Sequence, residues 1–270
     1  TTKDGLVSNT VTAIAVAPNG DIWFGTRGGV SHFDGEAWTS YTQGDGLLFT
    51  GASCIHILPN GVVWVGILGG GISRFDGKTW TSYDALDGLC SNYVTAIAHT
   101  PNGDLWFGTY DGVSCFNGAS WKTFTKENGL RYNSVKAMVV DHQGNLWFGV
   151  QDYPRLKAAT EIDASGVEKP AGMYPGAVTR FDGEHWTVYT QHEGLAADWV
   201  SAIDVTPRGD VWFATEGGSG YGVSKFDGQI MTTYTMTDGM AGNQVRTLHA
   251  GSSGKIFFGT SHGLSIYTPQ

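Results

Sequence analysis

Asp204 and His249 hold the same position in two successive copies of an internal repeat, and Arg246 stands three residues before His249. A carboxylate that orients an imidazole is the start of a general base. A guanidinium beside it can grip an anion through two parallel hydrogen bonds. With a suitable substrate, Asp204, His249 and Arg246 are the residues of a lyase or hydrolase. A base also needs a nucleophile or a water to activate, and Gly-x-Ser-x-Gly is absent and Cys54 is expected to be buried. A hydrogen-bonded pair lining an inner wall explains Asp204 and His249 as well. The other histidines are dispersed, and there is no His-Glu-x-x-His, P-loop or EF-hand loop. Cys54, Cys90 and Cys115 are odd in number and form no Cys-x-x-Cys, which indicates neither a disulfide framework nor a zinc knuckle. No metal and no cofactor are therefore expected.

A second chemistry lies in the aromatics. Trp199, Phe49, Tyr93, Tyr110, Tyr132, Tyr153, Tyr174 and Tyr221 stand outside the positions where the other large aromatics recur. A ring with a polar tip stacks on a sugar or another flat ligand. Around them stand Lys136, Asp198, Glu216, Arg246, Arg27 and Arg155, which can make polar contacts. The expected site is a ligand pocket with Trp199, Tyr110 and Tyr132 as its aromatic wall.

What must position these residues is a repeat. Asp4-Gly-Leu recurs as Asp45-Gly-Leu, Asp87-Gly-Leu, Asn128-Gly-Leu, Glu193-Gly-Leu and Asp238-Gly-Met, in steps of 41, 42, 41, 65 and 45 residues. Six units follow, the fourth carrying extra residues. The first unit breaks into short β-branched and aromatic runs cut by glycine, which predict strands A (11–17), B (21–26), C (30–33) and D (37–42), with hairpin turns at Asn19-Gly20 and Asp34-Gly35. Four short strands per unit, repeated, is the signature of a propeller blade. The expected fold is all-β: a single six-bladed β-propeller over residues 1–270, of four-stranded antiparallel blades. The last unit stops at the end of its strand C, so its blade is expected to be incomplete or closed by the N-terminus. Thr1-Thr2-Lys3 aligns with the tail of a strand D, which suggests a missing N-terminal piece.

Composition agrees. Gly is 40 of 270 residues, aromatics are 13% and charged residues 15%, which excludes a disordered chain. No apolar run approaches the roughly 18 residues of a spanning helix. The net charge of −9, with no basic run, argues against nucleic acid and anionic membranes as partners.

The units resemble the two-component regulator propeller repeat. The resemblance rests on Asn92-x-Val94-x-Ala96-Ile97, Pro101-Asn102-Gly103-Asp104-Leu105-Trp106-Phe107-Gly108-Thr109 and Gly112-Val113-Ser114-x-Phe116, with copies in the other units. It implies a sensor-like module of the kind found in extracytoplasmic regions of bacterial hybrid histidine kinases, although no kinase and no membrane helix are present here. A more distant resemblance is to virginiamycin B lyase-like propellers, enzymes that open cyclic depsipeptides with magnesium on seven blades; no motif here matches their catalytic residues. Low lysine content, acidity and the first resemblance imply an exported, periplasmic or secreted bacterial monomer.

In a four-strand meander the A–B and C–D turns share one end and the B–C and D–A connections the other, termed the top. Only B–C loops vary strongly in length, the longest being 151–176, expected to cover part of the top. Two columns also vary while their neighbours repeat: Arg27, Leu68, Tyr110, Gln151, Glu216 and Ser261 after strand B, and Thr10, Gly51, Tyr93, Ser134, Trp199 and Gln244 at the start of strand A. A polar column of Thr12, Ser53, Thr95, Lys136, Ser201 and Arg246 lies just below them. The ligand, a small polar or glycan-like molecule, is accordingly expected at the top mouth of the central channel, toward units 3–5. A protein-interaction platform at the same rim is the other reading.

Overall fold

The computed structural model describes residues 1–152, 175–216 and 222–269. Tyr153, Arg155, Tyr174 and Tyr221, and with them most of the expected 151–176 cover, lie outside the described residues.

Each unit alternates side chains with the period of two that a pleated strand requires, one face bearing the strand B tryptophan and the other the flanking Ile, Leu, Val and Phe. The result is six antiparallel sheets in simple meander order, the blades of a six-bladed β-propeller fold. In chain order the strands of blade 1 are Val11–Val16, Ile22–Thr26, Gly29–Phe33 and Trp38–Tyr41. Blade 2 has Ala52–Ile57, Val63–Ile67, Gly71–Phe75 and Trp80–Tyr83. Blade 3 has Val94–His99, Leu105–Thr109, Gly112–Phe116 and Trp121–Phe124. Blade 4 has Ser134–Val140, Leu146–Gln151, Gly176–Phe181 and Trp186–Tyr189. Blade 5 has Val200–Val205, Val211–Thr215, Gly222–Phe226 and Met231–Tyr234. Blade 6 has three strands among the described residues, Val245–Ala250, Ile256–Thr260 and Gly263–Tyr267. The contacts divide the chain into two compact halves, each of three repeats and called from here on unit 1, Thr1–Phe124 with blades 1–3, and unit 2, Thr125–Gln270 with blades 4–6.

Within each unit the core lies between successive blades. Trp23 packs on Phe75, Trp64 on Phe107, Trp147 on Phe213 and Trp212 on Phe258, with ring centroids 5.5–5.7 Å apart. Trp38, Trp80, Trp121 and Trp186 each pack against the last aromatic of their own strand C, with ring centroids 4.4–4.9 Å apart. The two tryptophan columns are scaffold, as their regular spacing predicts.

The turns differ in detail from the expectation. Between strands A and B of blade 1, Ala17 C=O accepts from Gly20 N–H at 2.9 Å, around Pro18-Asn19. Only Gly20 takes a positive φ, +94°, so Asn19-Gly20 is not a two-residue turn with two left-handed residues. Proline pre-sets the first central position and glycine absorbs the left-handed one. The other hairpin is centred on Gly35-Glu36, with Asp34 N–H donating to Ala37 C=O and the Asp34 carboxylate accepting from Glu36 and Ala37 N–H.

The acid of the recurring Asp-Gly-Leu closes the D–A connection. Asp45 accepts from Thr42 N–H at 2.8 Å, Glu193 from Thr190 N–H at 2.8 Å and Asp238 from Thr235 N–H at 2.9 Å, each completing a capping box on a single 3₁₀ turn.

Candidate functional site

The two variable columns prove to be register partners. Arg27 N–H donates to Thr10 C=O, Leu68 to Gly51, Tyr110 to Tyr93, Glu216 to Trp199 and Ser261 to Gln244, at 2.9–3.2 Å. In blade 4, Ser134 and Gln151 pair directly. Each blade thus ends at its top in one pair of side chains that differs from blade to blade.

In unit 1 this arrangement builds an aromatic surface on blades 2 and 3. The rings of Tyr93 and Tyr110 stack at 5.7 Å with 12° between their planes. Tyr93 also bridges to Leu68. The turn after Leu68 is Gly69-Gly70, and both glycines lie under aromatic rings. A Cβ at Gly69 would sit 3.5 Å from the Tyr93 ring, and one at Gly70 would collide with Phe49 and Ile67. Phe49 is 51% exposed, Leu68 47% and Tyr93 37%. The two exposed rings thus cover the Gly69-Gly70 turn, in which Gly70 is buried and its N–H donates to Ile67 C=O at 3.1 Å. Leu48, also exposed, adjoins Phe49 in the chain and was not among the residues the sequence singled out. Nothing in its position within the repeat marks it. Arg27, on blade 1 of the same unit, is exposed.

In unit 2 the expected residues have more local duties. Asp198 Oδ1 accepts from Gln191 N–H at 3.2 Å. At the matching place Asn9 accepts from Thr2, Asn92 from Ala85, Asn133 from Lys126 and Asn243 from Met236. Asp198 thereby belongs to a recurring clasp of the D–A connection. Tyr132 is half-buried, with the Arg131 guanidinium 5.3 Å from its ring centre. Trp199 and Glu216 are half-buried, whereas Lys136 and Arg246 are exposed and form no ion pair with another described residue.

The polar column of strand A has a structural cause. Thr12 Oγ1 donates to Ala52 C=O, Ser53 Oγ to Val94 C=O and Ser201 Oγ to Val245 C=O, each at 2.6 Å. Each hydroxyl sits at a register shift of its own strand and ties it to the inner strand of the next blade. Lys136 and Arg246 share the column and leave this staple unmade.

Asp204 and His249 come together: Nδ1 lies 3.4 Å from Oδ2. The carboxylate also accepts from Val205 N–H and Ala250 N–H, both at 2.8 Å, so it anchors strand A of blade 6 to blade 5. His249 is 75% exposed on its side chain. A second imidazole contact was not anticipated. His56 Nε2 lies 2.7 Å from His99 Nδ1, and burial, followed by the neighbouring His99, pushes the His56 pKa down to about 4. Burial drives the Cys54 thiol in the opposite direction, up to about 12, so it is no nucleophile.

Among the described residues no three His, Cys, Asp or Glu side chains converge as metal ligands. No described helix is long and apolar enough to cross a membrane.

Known proteins agree with this architecture. Over 95% of this chain and 93% of theirs, virginiamycin B lyase from Staphylococcus aureus superposes with a TM-score of 0.51 at 14% identity. The extracellular domain of the hybrid two component system BT3049 from B. thetaiotaomicron matches 98% of the chain, with a TM-score of 0.51 and 20% identity. PorZ, a surface component of the type-IX secretion system of Porphyromonas gingivalis, matches 93% with a TM-score of 0.62 and 20% identity. YCF48, solved with a D1 peptide, matches 96% with a TM-score of 0.62 and 16% identity, over 79% of its own length. The chain spans 40% of the length of the BT3049 domain and 37% of that of PorZ. At these identities the likeness concerns the fold. No curated protein matches the sequence. The two component regulator propeller model matches residues 5–28. A second family model matches residues 52–216, more than half of the sequence, and the chain belongs to that family, the SMP-30/Gluconolactonase/LRE-like region.

Proposed function

We propose that this propeller is a binding module that holds a small polar or glycan-like molecule by stacking at the top of its blades. The observation that carries the reading is the exposed surface of unit 1, where Phe49 and Tyr93 flank the Gly69-Gly70 backbone and Tyr110 backs Tyr93. Aromatic faces supply apolar contact at low conformational cost and stack on the face of a sugar ring. Unit 2 offers Trp199, Tyr132, Lys136, Glu216 and Arg246 for the same purpose. The likeness to the extracellular domain of a hybrid two component system supports an extracytoplasmic location for this role.

The test is calorimetric titration of a panel of neutral and uronic oligosaccharides into the full chain and into Tyr93→Ala, Tyr110→Ala, Trp199→Ala and Trp80→Ala. Truncating a stacked ring is expected to weaken binding about tenfold or more with little change in melting temperature. Trp80→Ala instead lowers the melting temperature. Binding indifferent to all three top-face variants overturns the reading. A second reading, a lyase or hydrolase working through Asp204, His249 and Arg246, is favoured by the 3.4 Å contact of the first two. Turnover of any panel member that disappears in His249→Ala with the fold intact would establish it.

A further inference from the structure

Strand C places one side chain directly opposite the strand B tryptophan: His32 faces Trp23, Arg74 faces Trp64, Cys115 faces Trp106, Arg180 faces Trp147 and Lys225 faces Trp212. Opposed residues share one face of a sheet, so in three blades a long cation lies on the face that meets the next blade. Blades 4 and 5 show where it goes. Trp147, Tyr189 and Phe226 form a triad of rings with centroids 5.3–5.5 Å apart, and the Arg180 guanidinium lies 5.5 Å from the Trp147 ring centre. In blade 5, Lys225 Nζ lies 3.7 Å from Asp210 Oδ2. An aromatic face and a carboxylate are the two partners that an organic cation takes.

Blades 1 and 2 repeat this setting with a shorter side chain. Trp23, Tyr41 and Phe75 form the same triad, at 5.1–5.8 Å. His32 stands where Arg180 stands, its ring 4.4 Å from Trp23, and its Nε2 lies 2.7 Å from Asp21 Oδ2. Asp21 precedes its tryptophan by two residues, as Asp210 does. In its neutral form His32 donates to this carboxylate, and the pair carries one negative charge. The two side chains are only 17% and 21% exposed, so water screens that charge less than at an open surface. An imidazole is shorter than a guanidinium-bearing chain. Beside it a cavity of about 510 Å³ opens between the A–B turns of the two blades, lined by Asp21, Trp23, His32, Tyr41, Asn19 and Asn60 among others. No lysine or arginine is among its described lining residues.

We propose that this cavity binds the guanidinium group of an external ligand, free arginine or an arginine side chain of a polypeptide, where blades 2 and 4 carry an arginine of their own. Asp21 supplies the carboxylate that accepts from its N–H groups. Trp23 and Tyr41 supply the aromatic wall against which the planar cation rests. The net charge of −9 favours the approach of a cation. The site opens at the A–B turn end of the blades, opposite the two variable columns, so it neither rests on the top-face reading nor falls with it.

The probes are L-arginine, acetyl-L-arginine amide and acetyl-L-citrulline amide, titrated into the full chain while the Trp23 indole N–H resonance is followed. At least one arginine probe is expected to bind saturably and to shift that resonance. Citrulline has the same shape without the charge, and is expected to bind about tenfold more weakly or worse than the arginine amide, a comparison that leaves the protein untouched. Asp21→Asn should weaken arginine binding by a similar factor. His32→Arg should abolish it, with the melting temperature held or raised, because the chain then fills the cavity as Arg180 fills its own. Tighter binding of the amide than of L-arginine supports the proposal with a polypeptide as the source, and the reverse order supports it with the free amino acid. The proposal is overturned by no saturable binding of either arginine probe, by equal binding of the citrulline and arginine amides, or by binding undiminished in a folded His32→Arg variant.

Discussion

His56 and His99 face each other across blades 2 and 3 with Nε2 and Nδ1 2.7 Å apart. At this distance one ring donates the single shared proton and the other accepts, so at least one ring is neutral. The His56 pKa is held at about 4, against 6.5 for the free group, by burial first and by His99 second. The folded state therefore binds a proton at this ring less readily than the unfolded state does. Above pH 6.5 the shift has no effect. As pH falls from 6.5 to 4 the unfolded chain gains protons first, and stability drops by on the order of 2–3 kcal/mol. Urea unfolding followed between pH 7.5 and 4 should show this decline, and His56→Gln should flatten it. An unchanged slope in the variant would assign the decline to other groups.

The hydroxyl staples should be worth a conventional hydrogen bond each. Ser53 and Ser201 donate to the inner strand of the next blade at 2.6 Å. Alanine at either place leaves a carbonyl short of one partner and should cost about 1 kcal/mol. The two sites lie in different units, so the double variant should lose the sum. Midpoints of denaturant unfolding read the effect. A cost near zero would mean that water takes over the carbonyl.

All three thiols are free, and burial raises the pKa of each, Cys54 to about 12 and Cys115 to about 11. Thiolate is the reactive form, so the folded chain at pH 8 should react slowly with a disulfide reagent. Three equivalents should then be consumed upon unfolding. Rapid titration of one thiol in the folded state would contradict the burial of these side chains.

The strands, the six units and the tryptophan columns were legible because each rests on a short-range rule, period-two alternation or a glycine-bearing turn. Strand limits in blade 1 fall within one residue of expectation. Partners were harder. Thr12, Ser53 and Ser201 look the same in sequence whether they donate to a ligand or to the carbonyl of the next blade, and only the bulge at each site decides between them. Asp198 drew notice as a charge, yet at the matching positions Asn9, Asn92, Asn133 and Asn243 do the same work. His99 reads in sequence as one of the dispersed histidines, because its neighbour His56 lies 43 residues away and only the stagger of blades brings them together. The pairing of the two variable columns followed from strand register, which sequence alone left implicit.

Turn glycines separate two costs that are usually measured together. Gly129 and Gly183 both take positive φ, +139° and +104°. Alanine at either must adopt a backbone region that side chains disfavour, costing about 1–2 kcal/mol. At Gly183 a Cβ meets nothing within 4 Å, so the backbone term stands alone. At Gly129 the Cβ would run into the Trp186 indole. That ring is held by Phe181 at 4.4 Å and Phe148 at 5.9 Å, and to yield it must open the outer edge of blade 4. Overpacking of this kind adds roughly 1–3 kcal/mol. Gly129→Ala should therefore lower the unfolding midpoint clearly more than Gly183→Ala, and Gly129→Ala combined with Trp186→Leu should recover part of the difference, since the smaller side chain removes the obstacle. Equal losses in the two single variants would show that the Asp-Gly-Leu turn chooses glycine for its backbone freedom alone. The close approach of the tryptophan would then be a consequence of the turn and place no demand on it.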